Sequence, residues 1–457
     1  MSDWSHGYPT ASAYLDAMQP EISPFRWRQS LLAARRLGPD ERRPFRFLEL
    51  GCGSATTLIA LAACYPQAEF LGVDFMPEHV ARARIMIEAA ELPNIRVEEA
   101  SFADLAAAPP PEKYDFAAAH GVWTWVAPEV RAEIVTLLNR WLAPGAIAYF
   151  GYNAAAGWAA AAPLRRLFQE LPQGTGKDRF ANARAAAQSW IDTVKPKGFE
   201  TLWSKLSSLP DDYIAHEIAG PHGTGIWPGE LAGALAEAKL AYSCPAVFAE
   251  QFDALFLPPE RIEFLRKARA EGWGETARDL ALGRTFREDL FHRGAPALSL
   301  GEMQAGFAGL DAALWSPTLE LADFRPSLGT PLHGVDPAVL ATLEAAIGHA
   351  PAPFSAFIEA LEIEPIKALQ ALFVAISTGA LMPLRGPDAI AAATPGCARF
   401  NAIARRQLEA GRTMQGLASP AIGGVVPLSA AQQRVAFGIE PGEADLTSAL
   451  SLLGLMA

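Results

Sequence analysis

Short apolar runs that end in an acid or a glycine-rich turn, each followed by a stretch of helical spacing, organise the first 150 residues. The pattern predicts strands over Arg46–Leu50, Glu69–Asp74, Ile95–Ala100, Tyr114–His120 and Ala146–Phe150, with helices over Leu58–Cys64, Glu78–Glu91 and Pro128–Leu142 between them. Pro109 to Pro111 reads as a rigid connection, Ser101 to Asp104 as a polar turn, and Leu142 to Gly145 as the stop of the last helix. Strands alternating with helices predict an α/β fold built on a doubly wound parallel sheet, which takes its ligands at the carboxyl ends of the strands. Glu49, Asp74, Ser101, His120 and Tyr152 all fall at those ends.

Beyond about residue 210 the pattern changes to helical segments broken by Gly and Pro, and from about 300 the chain is Ala- and Leu-rich. Within that last part, 365–378 reads as a helix leading into a short strand at 379–384. A chain of 457 residues is too long for one core. The divisions expected are 1–210, a middle region 211–300, and a mainly helical C-terminal region 301–457.

Composition narrows the function classes. No uninterrupted apolar stretch has membrane-spanning length, and the N-terminus lacks a basic region followed by an apolar one; the expectation is a cytoplasmic protein without membrane insertion. Cys52, Cys64, Cys244 and Cys397 are far apart, with no Cys-x-x-Cys pair, so neither a disulfide framework nor a zinc knuckle is expected and no metal is assigned. A net charge of −12 disfavours capture of nucleic acid.

The turn after the first strand carries the chemistry. Gly51 and Gly53 let the backbone bend sharply and pass close to a ligand. Neither the dinucleotide pattern, which would want Gly or Ala where Thr56 stands, nor the Walker pattern is met. Glu49, a carboxylate at the end of a buried strand, calls for hydrogen bonds or a cation. Asp74 lies about 20 residues on, the spacing at which an acid reaches ribose hydroxyls. An adenosine moiety with a positive charge near Glu49 describes S-adenosylmethionine, with S-adenosylhomocysteine as product.

These motifs, with Leu142 to Gly145 before the fifth strand, resemble those of class I S-adenosylmethionine-dependent methyltransferases. His6 to Tyr8, Ala100 to Leu105, His120 to Val126 and Tyr152 to Trp158 resemble the bacterial subgroup that carries a methyltransferase regulatory domain, whose start Tyr213 to Glu217 resembles. Arg399 to Asn401, Leu417 to Pro420 and Gly423 to Pro427 resemble the subgroup's C-terminal region. The resemblance implies a Rossmann-like domain, a helical middle domain and a winged-helix-like C-terminal domain. Characterised relatives of this architecture include rickettsial enzymes that methylate lysines of an outer membrane protein, which implies protein lysine methylation. Ala55 stands where the family's third glycine often is, and the proline that often precedes the Gly157-Trp158 pair is missing.

Candidate cofactor contacts are Glu49, Gly51, Cys52, Gly53, Asp74, Phe75, Ser101, Phe102 and His120, with Tyr8 as a lid. His120, Tyr152 and Trp123 are the candidate acceptor-side residues. His120 is either an acceptor-orienting imidazole or a hydrogen-bonded structural histidine. Trp123 and Trp125, if the run is extended, face opposite ways, one to the cavity and one to the core. The partner expected is a protein or small-molecule methyl acceptor, and a homodimer is the candidate assembly. A cofactor-binding regulator with an idle transfer site is the remaining alternative.

Overall fold

The computed structural model describes residues 17–171, 179–197, 199–220, 222–315 and 331–456. Its centre is a seven-stranded sheet. The strands are β1 (Arg46–Leu50), β2 (Glu69–Asp74), β3 (Ile95–Glu99), β4 (Tyr114–His120), β5 (Leu142–Asn153), β6 (Ala241–Pro245) and β7 (Phe286–His292), in the spatial order β3-β2-β1-β4-β5-β7-β6. The first five are parallel, as the alternation of strand and helix predicts; β7 runs antiparallel to both β5 and β6.

Strand parity sorts the side chains into two layers. Phe47, Phe116 and Tyr149 face one layer, closed by α1 (Pro24–Ala33), α2 (Thr56–Cys64) and α3 (Pro77–Ala90). Leu48, Ala117, Phe150 and Tyr152 face the other, closed by α4 (Phe102–Ala107), α5 (Pro128–Trp141) and a helix at Pro228–Ala236. In the first layer Trp27 of α1 stacks on Phe47 at 5.6 Å and on Tyr149 at 5.5 Å between ring centroids.

Several expectations change. The polar turn at Ser101 is a helix start: its hydroxyl accepts from the Asp104 amide and caps α4. The fifth strand begins at Leu142 and runs to Asn153, well past Phe150, because β7 pairs with its far end. The middle region does contain helices, at Pro228–Ala236, Pro259–Ala270 and Gly274–Leu282, but it also sends β6 and β7 into the sheet.

In the C-terminal region, β8 (Asp311–Leu314), β9 (Ala352–Pro353) and β10 (Leu381–Leu384) form a small sheet, and the helix expected before β10 spans Pro365–Ser377. A hairpin of β11 (Gly416–Ser419) and β12 (Gly424–Pro427), with the helix Pro387–Glu409, packs on α2. Ser23 and Tyr65 both donate to the Gly423 carbonyl, and the buried Arg385 donates to the carbonyls of Cys64 and Pro420 while lying over the Tyr65 ring.

Candidate active site

Strand order reverses between β1 and β4, so the connections leaving these two strands pass to opposite sides at their carboxyl ends, the place where such sheets take ligands. The turn after β1 is held from below, where the amides of Gly51 and Cys52 both donate to the Val73 carbonyl. Gly51 has φ +66°, and a Cβ there would lie 2.6 Å from Val122. Gly53 differs: at φ +55°, a Cβ would meet nothing within 4 Å, so its open side is free for a ligand. Ala55 takes the left-handed conformation too, at φ 55°, where glycine is the easier residue.

Asp74 ends β2. One carboxylate oxygen accepts from the Gly53 amide at 2.8 Å, the other from the Met76 amide at 2.9 Å, with His79 at 3.3 Å. These bonds fix the carboxylate against the turn and leave a lone pair on the oxygen bonded to Gly53. Glu49 is 6% exposed, and its Oε2 has no hydrogen-bond partner among the described residues. Burial, then the neighbouring Asp74, pushes its acid up to about 8. A buried carboxyl with an oxygen left unpartnered among the described residues, beside a turn with open space, is suited to a cationic ligand carrying a diol. The residues therefore fit S-adenosylmethionine.

Cys52 is half-buried under the turn, against Gly72; burial and the Glu49 and Asp74 charges keep its thiol protonated. Phe75 follows Asp74 on a bend, half-buried, and Phe102 opens α4 and packs against the second layer. The Ser101 hydroxyl is engaged with Asp104, donating to its carboxylate at 2.7 Å. Tyr8 lies outside the described residues.

On the acceptor side the structure separates the three candidates. His120 stays at the edge of the first layer, two residues beyond Ala118, which pairs with Glu49. Its Nδ1 lies 2.8 Å from the Tyr149 hydroxyl and 3.3 Å from Glu21, and the ring rests over Gly151, where a Cβ would lie 2.6 Å away. Burial lowers its basicity, and Glu21 opposes that shift.

Tyr152 and Trp123, in contrast, belong to the opposite layer. Tyr152 is fully buried and donates to Asp289 at 2.7 Å, because it lies three positions after Tyr149 along β5 and so faces the other way. Trp123 packs edge-on to Phe150. The run it belongs to is a turn, started by Gly121 at φ 65°; Thr124 is buried there and accepts from the Asn153 amide. The half-buried Trp125 packs on Trp158 and Gly223.

Behind Tyr152 lies a buried ionic network. Arg287 of β7 reaches Asp289, Asp279 and Glu275, each at 2.7 Å. It satisfies charges that would be costly alone. On the first layer, Glu288 pairs in register with Gly151 and so joins His120, Tyr149 and Glu21. Sequence reasoning missed Glu21, Tyr149 and Glu288. The three consecutive charges Arg287 to Asp289 were the available signal, since a strand that carries them must pair them.

Comparison with known proteins fits this geometry. Residues 47–145 match the family model "Methyltransferase domain", and residues 210–293 match "Predicted methyltransferase regulatory domain". Residues 47–145 form a class I S-adenosylmethionine-dependent methyltransferase domain. Over 322 residues the chain is 28% identical to an uncharacterized protein of Synechocystis sp., covering 69% of this chain and 63% of that one. The alignment thus spans under two thirds of that relative. A trans-aconitate 2-methyltransferase of Methylobacterium nodulans is 37% identical over 102 residues, 22% of this chain and 36% of that one. Among solved structures, PKMT2 from Rickettsia typhi in complex with AdoHcy superposes with a TM-score of 0.69 at 19% identity, over 96% of this chain and 91% of that one. That likeness is one of fold, and it extends through the regulatory and C-terminal regions.

Proposed function

We propose that the chain transfers the methyl group of S-adenosylmethionine to a lysine ε-amine of a protein. The observation that carries the reading is Glu49: a buried carboxyl whose Oε2 has no partner among the described residues, pushed up to about 8, beside a turn whose Gly53 faces open space. Glu49, the Gly51 to Gly53 backbone and Asp74 would hold the cofactor, which when bound supplies an electrophilic methyl carbon. The chain's own work is then positioning and proton handling.

An amine acceptor suits the edge where Glu21 and Glu288 stand beside His120, since the carboxyl oxygens there accept hydrogen bonds from an ammonium. Freeing a lysine amine at pH 7 costs on the order of 4–5 kcal/mol. Burial beside apolar rings such as Phe286, 5.3 Å from His120, lowers that cost by disfavouring the charged amine. The resemblance to rickettsial lysine methyltransferases supports the same acceptor. The match to a trans-aconitate methyltransferase motivates a small-molecule acceptor as the second reading.

Purified protein incubated with methyl-labelled cofactor and a cell extract tests both. Label in protein, recovered as methyl-lysine on hydrolysis, supports the proposal. Label only in small solutes favours the second reading, and cofactor binding without any transfer in the extract overturns both.

A further inference from the structure

Resting on the lysine reading above, we propose that Glu21 and Tyr149 are positioning residues that hold His120 as its Nδ1–H tautomer. Its Nε2 then takes the proton released by the acceptor ammonium. The geometry is a relay of three groups from three parts of the chain. Nδ1 of His120 is 2.8 Å from the Tyr149 oxygen and 3.3 Å from Glu21 Oε1, and the Tyr149 hydroxyl donates to that same Oε1 at 3.4 Å.

A carboxylate is only an acceptor, so the phenol proton points at Glu21 and the phenol oxygen presents lone pairs to Nδ1. Nδ1 must then carry the hydrogen. The reverse tautomer would turn the phenol proton from Glu21 to Nδ1 and leave the Glu21 carboxylate 3.3 Å from that nitrogen with no hydrogen between them. Nε2 makes no hydrogen bond among the described residues, and the side chain is 16% exposed at the strand end.

Both positioning groups are held in turn. The Trp27 indole donates to the Glu21 carbonyl at 2.8 Å and stacks within 10° of parallel on the Tyr149 ring. Burial, then Glu21 and Glu250, pushes the Glu288 acid of β7 well above the usual carboxylate range, and it shares a hydrogen bond with Glu21. Arg26 on α1 faces both Glu21 and Glu288, and Arg284 pairs with Glu250 behind them. Burial keeps His120 neutral, which a proton acceptor requires.

The step balances simply. One N–H bond of the ammonium breaks and its electron pair stays on the amine. A new N–H bond forms at Nε2, and the imidazolium returns that proton to solvent at its exposed edge. The amine is then the nucleophile.

Glu21→Gln and Tyr149→Phe keep shape and remove the relay. Nitrogen-15 NMR of the histidine-labelled full chain, with His120→Ala assigning the signal, reads the tautomer without any turnover. Wild type should show Nδ1–H, and both variants a mixture or Nε2–H. With tritiated S-adenosylmethionine and extract protein, Glu21→Gln should lower kcat at least tenfold and move the acid limb to lower pH, because the charge that raises His120 is gone. Calorimetric affinity for S-adenosylmethionine should stay within twofold. An Nε2–H tautomer in wild type, or a variant with the wild-type tautomer, rate and pH profile, overturns the proposal. Absence of methyl-lysine with wild-type protein instead refutes the function on which it rests, and the tautomer is still read.

Discussion

Replacing Glu49 by Gln tests the central electrostatic claim. Its acid rises from 4.5 to about 8 in the folded chain because burial and Asp74 disfavour the charge. A folded-state value above the unfolded one means that the native chain binds a proton the unfolded chain has released. Stability from this site is therefore complete below about 4.5 and is lost as pH rises through about 8. At 1.36 kcal/mol per pH unit the loss approaches on the order of 4–5 kcal/mol, an upper value because a buried charge relaxes toward water. Gln cannot titrate. In urea titrations without cofactor, Glu49→Gln should match wild type within about 1 kcal/mol at pH 5 and exceed it by several kcal/mol at pH 8.5. The same variant should bind S-adenosylmethionine at least tenfold more weakly, and saturating cofactor should flatten the wild-type pH dependence by compensating the charge. A stability difference between the two proteins that is the same at pH 5 and pH 8.5 would refute the reasoning.

Asp74→Ala removes two acceptors from the Gly53 and Met76 amides, and calorimetry should show cofactor affinity weakened at least tenfold. Tyr152→Phe should leave turnover within threefold and lower stability by about 1–2 kcal/mol in denaturant titration, since it deletes only the buried bond to Asp289. Arg385→Leu, which strips the carbonyls of Cys64 and Pro420 of their donor, should cost about 2–4 kcal/mol and make the hairpin at 416–427 sensitive to limited proteolysis.

The parallel half of the sheet was legible because β1 to β5 are apolar runs separated by helical spacing and closed by turn residues. The cofactor turn was legible for a related reason: an acid at the end of a buried strand conflicts with its surroundings unless a ligand resolves the conflict. The rest was hidden by long-range pairing. β7 reads as polar because Arg287, Glu288 and Asp289 interrupt it, and only the fold brings Asp279, Glu275 and Glu21 to meet them. The facing of Tyr152 was hidden because β5 runs past Phe150 to Asn153, and only the full strand carries its parity to that position. Glu21 precedes α1 with no motif around it, and its role depends on Trp27 tying its carbonyl down.

β7 also changes what the middle region is. It covers β5, a strand of 12 residues whose outer edge would otherwise offer unpaired amides and carbonyls to any passing chain. A fragment cut near residue 210 would keep every cofactor contact assigned to the turn, yet expose that edge and lose Glu288. The segment matched as regulatory thus completes the sheet that carries the cofactor turn, and a unit that keeps the β5 edge covered and retains Glu288 extends at least to His292.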